Sequence, residues 1–251
     1  MGRRAGGDGG GRKVLEVNAF WDGELSSLER LCITSFVRHG VGYNLYVYDE
    51  PANLPSGVTL KKAETVLPRD KVFRYAAGEF NLGSIAGFTN LFRYTVIQQR
   101  GGWWIDTDVC LLKPFDFDEE EVYFEESSQN EAFYVATSCF KAPRRSTVMN
   151  DCLKRFAEKD VGRIVHGETG PRLLTDSIVA LGKQDQVLRD ERVMPVSWWD
   201  WRRLFYDESL TLANCHAVHF WNAMITAEGV DKNSCFPTNA PFEQLKRAYL
   251  A

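Results

Sequence analysis

The spacing of apolar residues changes several times along the chain, and each change marks an element. From Val14 to Phe20 apolar and polar positions alternate, the period of a half-buried strand. Trp21-Asp22-Gly23 breaks the alternation as a turn, and Ser26-x-x-Glu29 is a capping box that opens a helix. That helix runs to about His39 and stops at Gly40. Tyr43 to Tyr48 predicts a second strand, closed by Asp49-Glu50-Pro51. Strand, helix and strand in so short a span predict a βαβ unit and therefore a parallel sheet. Residues 52–83 carry Pro, Gly and charge without a clear period and predict irregular structure. Over 84–100 the period lengthens: Ile85, Phe88, Phe92 and Val96 form one helical stripe, with Asn90 and Arg93 about 60° apart on its flank. Gly101 ends that helix, and 103–105 predicts a short strand.

Beyond Asp108 the pattern becomes more helical. Helices are expected at about 146–158 and at 171–182, the second with Pro171 in its first turn after Gly170. A strand is expected near Val193 to Val196 and a last short one at Ala217 to Trp221. Trp198-Trp199-Asp200-Trp201 predicts an aromatic loop, and Pro241 opens a terminal helix. No internal repeat appears. The expected architecture is α/β, with ligands bound at the carboxyl ends of the strands.

Composition narrows the function classes. The 251 residues fit one domain with a sizeable core; 44% are hydrophobic, 25% charged, and the net charge is −4. No basic tract appears, so a nucleic-acid partner is not expected. The six cysteines are scattered without a Cys-x-x-Cys, which suggests reduced thiols in a cytosol. No apolar run approaches membrane-spanning length. Residues 1–13, rich in Gly and Arg, are expected to be a flexible tail. Met1-Gly2 opens like a myristoylation site, but Gly6 stands where Ser or Thr is required.

The candidate chemistry lies in Gly101-Gly102-Trp103-Trp104-Ile105-Asp106-Thr107-Asp108. Two carboxylates two residues apart at a strand end would point the same way. Paired hard oxygens suit Mg²⁺ or Mn²⁺, ions that also take substrate phosphates, which suggests an enzyme handling a nucleotide diphosphate. Asp-x-Asp alone is a weak signal, and the chain holds a second, Asp116-Phe117-Asp118, which precedes three Glu and reads as a solvated acidic loop. Asp106 and Asp108 differ because apolar residues flank them on both sides, and carboxylates are rarely buried unless paired or metal-bound.

Asn18-Ala19-Phe20-Trp21-Asp22-Gly23, Phe92-Arg93-Tyr94, the Gly101–Asp108 block, Thr169-Gly170-Pro171 and Val218-His219-Phe220-Trp221-Asn222 occur in that order. This set resembles the glycosyltransferase family 32 type, the DXD-containing sugar transferases that include capsular-polysaccharide proteins. It is more distantly similar to the glucosylating domain of large clostridial toxins. The resemblance covers nearly all of residues 14–225. It implies a GT-A fold: a central, mostly parallel sheet with helices on both faces and a more helical C-terminal half. It implies a single domain over 14–251, with a nucleotide-sugar half (14–112) and an acceptor half (113–251). It also implies a UDP- or GDP-sugar donor, Mn²⁺ (or Mg²⁺), and retention of anomeric configuration.

Carried onto this chain, the resemblance makes Asp108 the principal metal ligand and Asp106 a ligand that also contacts the donor; His219 would complete the metal sphere. Trp21 would stack on the base, Arg93 would reach the donor, and Trp221 and Asn222 would close over the phosphates. Asn90 stands where many relatives carry Asp for sugar hydroxyls. Gly170 and Pro171 match an acceptor-side loop, near which Asp176 is a candidate nucleophile by proximity. The leaving phosphate acting as base is the alternative. The acceptor would be a glycan or a lipid-linked oligosaccharide in surface-polysaccharide synthesis. That would place the chain in the cytoplasm and at the inner membrane face.

Two other functions share these residues. In a haloacid-dehalogenase-type phosphatase Asp106 would be the nucleophile, though that motif usually follows the first strand and needs a later acidic pair. A non-catalytic sugar-nucleotide-binding module is the other. Cys215-His216-x-x-His219 has no partner pair at zinc-finger spacing.

Overall fold

The computed structural model describes residues 15–114, 117–126, 129, 132–189 and 192–250. The tail at 1–13, Val14 and Asp116 lie outside the described residues. The strands are β1 (Glu16–Phe20), β2 (Gly42–Val47), β3 (Val58–Lys62), β4 (Gly102–Ile105), β5 (Val109–Leu111), β6 (Val122–Glu126), β7 (Tyr134–Ala142), β8 (Val187–Leu188) and β9 (Ala217–His219). The α-helices are α1 (Ser27–Arg38), α2 (Ala86–Arg100), α3 (Thr147–Ala157), α4 (Leu173–Ala180), α5 (Arg203–Tyr206), α6 (Asn222–Ala227) and α7 (Pro241–Leu250).

Seven strands form one sheet in the order β3-β2-β1-β4-β7-β6-β8. β1, β2, β3 and β4 are parallel; β7 runs against both neighbours, so β6 points the same way as β4. This is the α/β, mostly parallel sheet expected from the sequence. The chain builds outward from β1 to β3 on one side and returns to β4 on the other. The crevice beyond the carboxyl ends of β1 and β4 is thus the switch point where open sheets bind ligands.

The capping box forms as expected: Ser26 accepts from Leu28 N–H, and the Glu29 side chain accepts from Ser26 N–H. Trp103 and Trp104 point to opposite faces. Trp103 lies in the core cluster that holds Ile33 and Phe36 of α1, and Trp104, in contact with Phe92, lies in the one that holds Phe88 and Phe92 of α2. Both faces of β4 are therefore covered, which explains its unbroken apolar run. Gly101 and Gly102, at φ 72° and 93°, turn α2 sharply into β4. A Cβ on Gly101 would stand 2.4 Å from the Arg144 backbone nitrogen, so neither conformation nor space admits a side chain there.

Four features depart from the sequence expectation. β3 lies in the stretch expected to be irregular, and β6 and β7 fill the region expected to be more helical. Val193 to Val196 is not a strand; Val193 and Val196 are buried from a loop, and the edge strand is β8 instead. The last strand stops at His219, because Trp221 adopts a left-handed conformation (φ 59°, ψ 51°) and α6 starts at Asn222. Asp106 directly follows β4 and Asp108 lies in the turn before β5, so the pair stands at the strand end as expected. No helix among the described residues is long and apolar enough to cross a membrane.

Candidate functional site

β5 and β9 pair as a small antiparallel ribbon, with Val109 opposite His219. That ribbon brings His219 against Asp108 across 111 residues of chain: His219 Nε2 lies 3.1 Å from Asp108 Oδ2. The left-handed Trp221 then turns the backbone so that Asn222 N–H donates to the same oxygen at 2.7 Å. Asp108 is 6% exposed and His219 8%. Burial opposes the Asp108 charge, but the His219 charge, its hydrogen bond and Asn222 N–H outweigh it, so the pKa falls below the ordinary value. His219 mirrors this: burial opposes its protonation, Asp108 favours it, and the balance lies above the ordinary imidazole value.

Asp106 is held differently. Trp104 Nε1 donates to Oδ1 at 2.7 Å, and an Arg93 terminal nitrogen lies 3.0 Å from Oδ1 and 3.2 Å from Oδ2. Burial pushes Asp106 above the ordinary carboxylate range; Arg93 offsets part of that, and Asp108 adds to it. Arg93 is 4% exposed, donates to Thr137 O on β7 at 2.8 Å and lies over the Trp104 ring. Its two terminal nitrogens are held by the protein, so Arg93 positions Asp106, while its Nε faces no protein partner among the described residues.

These residues line a cavity of about 590 Å³ at the carboxyl ends of β1 and β4, a size usual for small-molecule sites. Trp21, Asn90, Arg93, Asp106, Asp108 and His219 all border it, as do Pro171, Trp221 and Asn222. Asn90 is buried and donates to Thr169 Oγ1 at 3.2 Å, while Gly170 is packed so close to it that a Cβ would meet Asn90 Nδ2 at 3.1 Å. The helix flank and the acceptor-side loop are thereby joined. Asp176 is the exception. It is exposed on α4 and lines neither this cavity nor the adjoining one. Leu174 and Ile178, each two residues away, are fully buried, and two residues are about 200° of helix, so Asp176 faces outward. It is not placed to act as a nucleophile.

Several cavity residues escaped the sequence reading, Lys232 and Glu126 among them. Lys232 lies in a polar turn and reaches inward: its Nζ lies 2.5 Å from Glu29 Oε1 and 3.0 Å from Asn222 Oδ1, and 5.5 Å from the Trp21 ring centroid. Nothing local in Val230-Asp231-Lys232-Asn233 signals this. Glu126 ends β6 and is partly buried in the wall.

Of the eight buried side-chain polar atoms without a hydrogen-bond partner among the described residues, three stand on this wall: Arg93 Nε, Ser138 Oγ and His219 Nδ1. Orphaned buried groups are rare, and their gathering at one cavity is what a ligand site would show. Two carboxylates and an imidazole are suitable donors for Mn²⁺ or Mg²⁺. As they stand, Asp108 and His219 are paired with each other and Asp106 with Arg93. Among the described residues no three His, Cys, Asp or Glu side chains stand together as a ready metal site.

Residues 141–247 match the model of the alpha 1,4-glycosyltransferase conserved region. The matched segment contains Thr169-Gly170-Pro171, His219 to Asn222 and Lys232. The chain is 24% identical over 147 residues to the human alpha-1,4-N-acetylglucosaminyltransferase, a match covering 53% of this chain and 41% of that protein. It is 30% identical over 147 residues to the lactosylceramide 4-alpha-galactosyltransferase of Pongo pygmaeus, covering 52% and 64%. The match thus spans less than two thirds of either relative. Among solved structures the chain is similar to PaToxG glycosyltransferase (13% identity, TM-score 0.49, covering 94% of this chain and 87% of that one). Another is the glycosyltransferase GlyE of Streptococcus pneumoniae TIGR4 (14%, 0.48, 83% and 55%).

Proposed function

We propose that this chain is a metal-dependent, retaining glycosyltransferase of the family 32 type, moving a hexose from a nucleotide-diphosphate sugar to a glycan or glycolipid acceptor. The observation that carries the reading is the convergence of Asp106, Asp108, His219 and Lys232 on one cavity at the switch point of the sheet. The match to the alpha 1,4-glycosyltransferase model and the names of the two curated relatives support the reaction class.

Each residue has a physical task in this reading. Trp21 offers a flat apolar face to the base, with the Lys232 ammonium beside it. Lys232 and the start of α6 stand where a diphosphate would lie, and preorganised positive charge there stabilises the developing charge of the leaving group. Asp106, Asp108 and His219 would hold Mn²⁺ or Mg²⁺, which when bound supplies Lewis-acid neutralisation of the same diphosphate. Arg93 and Trp104 hold Asp106 rigidly. The phosphatase reading has less support, because the motif follows β4 and not the first strand, and no later acidic pair joins it among the described residues.

Both curated relatives are named for an alpha linkage, and common UDP-hexoses are alpha-linked at their anomeric carbon. An alpha product from such a donor is retention. The test is the configuration of the first product formed from a UDP-hexose, read by proton NMR before mutarotation. An alpha product supports the reading; a beta product overturns retention while leaving transfer itself intact.

A further inference from the structure

A second cavity, of about 740 Å³, adjoins the first, and Glu126, His166, Gly167, Pro171, Trp221 and Ala223 border both. Its outer wall is aromatic, with Phe80, Tyr134 and Trp198. Flat apolar faces beside a few hydrogen-bonding groups are what a sugar ring requires, since a hexose has apolar C–H faces and a rim of hydroxyls. Asp106, Asp108 and Lys232 line only the first cavity. The two spaces thus differ in chemistry: the first holds the acidic pair and the lysine that suit a charged donor, and the second sets aromatic faces beside Glu126, Gln129, His166 and Arg172, which suits a sugar ring and its hydroxyls.

Glu126 is the one carboxylate on the shared wall among the described residues. It closes β6, parallel to β4, so its side chain reaches the same edge of the sheet as Asp106. Among the described residues its carboxylate has no hydrogen-bond or ion-pair partner. Most groups in this position would be paired, because a polar group partly removed from water costs free energy unless it regains hydrogen bonds. Sugar hydroxyls are such donors. Burial already holds its pKa up, to about 7.

Resting on the transferase reading, we propose that Glu126 is an acceptor-binding, specificity-determining residue that receives a hydroxyl of the terminal acceptor hexose in the second cavity and orients the attacking hydroxyl toward the first. The printed name of one relative points to a galactose-terminated acceptor, so the probes are methyl β-lactoside, methyl β-galactoside and methyl β-N-acetylglucosaminide. With the probe that the wild type glycosylates best, Glu126→Ala is expected to raise the acceptor KM at least tenfold. Donor KM should change far less than acceptor KM. The near-isosteric Glu126→Gln, which keeps the shape if the alanine variant folds poorly, should shift the ranking of the three probes while melting no lower than the wild type. An acceptor KM unchanged in both variants overturns the inference, as does a donor KM that rises with it. A wild type that transfers normally while the variants show no acceptor effect sinks only this inference. A wild type that binds no donor and glycosylates no probe sinks the transferase reading beneath it.

Discussion

Lys232 shows how one side chain can serve stability and chemistry together. Its ammonium satisfies Glu29, which is completely buried and also caps α1. Removing the lysine strands that carboxylate, and breaking a buried pair typically costs about 3–5 kcal/mol. Lys232→Met should therefore lower the melting temperature and also slow nucleotide release, by about 10²-fold if it stabilises the leaving diphosphate. Adding Glu29→Gln separates the effects. The double variant is expected to regain most of the lost stability and none of the lost rate; recovery of both would show that Lys232 acts only structurally. Glu126 makes a second prediction, for pH. Its folded pKa is raised by burial from 4.5 to about 7, so between those values the folded protein keeps a proton the unfolded chain has released. Its contribution to stability is therefore undiminished below about pH 4.5, declines as pH rises and levels off above about 7. Allowing for partial exposure, the loss is on the order of 1–2 kcal/mol. With EDTA present, the melting temperature of Glu126→Gln should gain on the wild type across this window, and parallel curves would contradict the assignment. Residues such as these were the hardest to read in the sequence. Asp106 and Asp108 stood out because apolar neighbours on both sides made them anomalous. Lys232 and Glu126 sit in ordinary charged stretches and gain meaning only from what the fold places beside them.

At the scale of elements, local signals succeeded where they were self-contained. The Ser26–Glu29 capping box, the apolar stripe of α2 and the glycine stop at Gly101 each rest on neighbours within a few residues, and each formed where expected. β7 failed that test. As an inner strand it is buried through Val135 to Phe140, yet Ala136, Thr137 and Ser138 dilute its apolar signal, so only its pairing with β4 and β6 identifies it. The Asp-x-Asp pair gives a related lesson. Its residues stand at the end of β4 as expected, but what aims their carboxylates, Trp104, Arg93 and the β5–β9 ribbon, is not visible in the motif. The junction from α2 to β4 sets that strand. Gly101→Ala should cost roughly 2 kcal/mol or more, because the conformation is left-handed and the Arg144 backbone blocks the added carbon. Chemical denaturation measures it. A loss below about 0.5 kcal/mol, the usual range for neutral substitutions, would mean that the junction relaxes freely.

For the whole molecule, the sequence carried the first half of the fold farther than the second. A βαβ unit is local and announces a parallel sheet, whereas β5 and β9 meet across more than a hundred residues and nothing near either one predicts the other. The site inherits that division. Its carboxylates come from the legible half, and His219, Asn222 and Lys232 come from the half whose arrangement only the fold defines. The match to the alpha 1,4-glycosyltransferase model, over 141–247, lies in that second half. The central claim is that these two halves together bind and activate a nucleotide-sugar. Nucleotide release from a panel of UDP- and GDP-sugars, with Mn²⁺, with EDTA and in Asp108→Asn, tests it most directly. Release from one donor is expected in the presence of a glycan acceptor, abolished by EDTA and reduced at least about 10²-fold in the variant, whose fold should persist because asparagine can still accept from Asn222 N–H. No release from any donor, together with no Mn²⁺-dependent donor binding by the wild type, would contradict it.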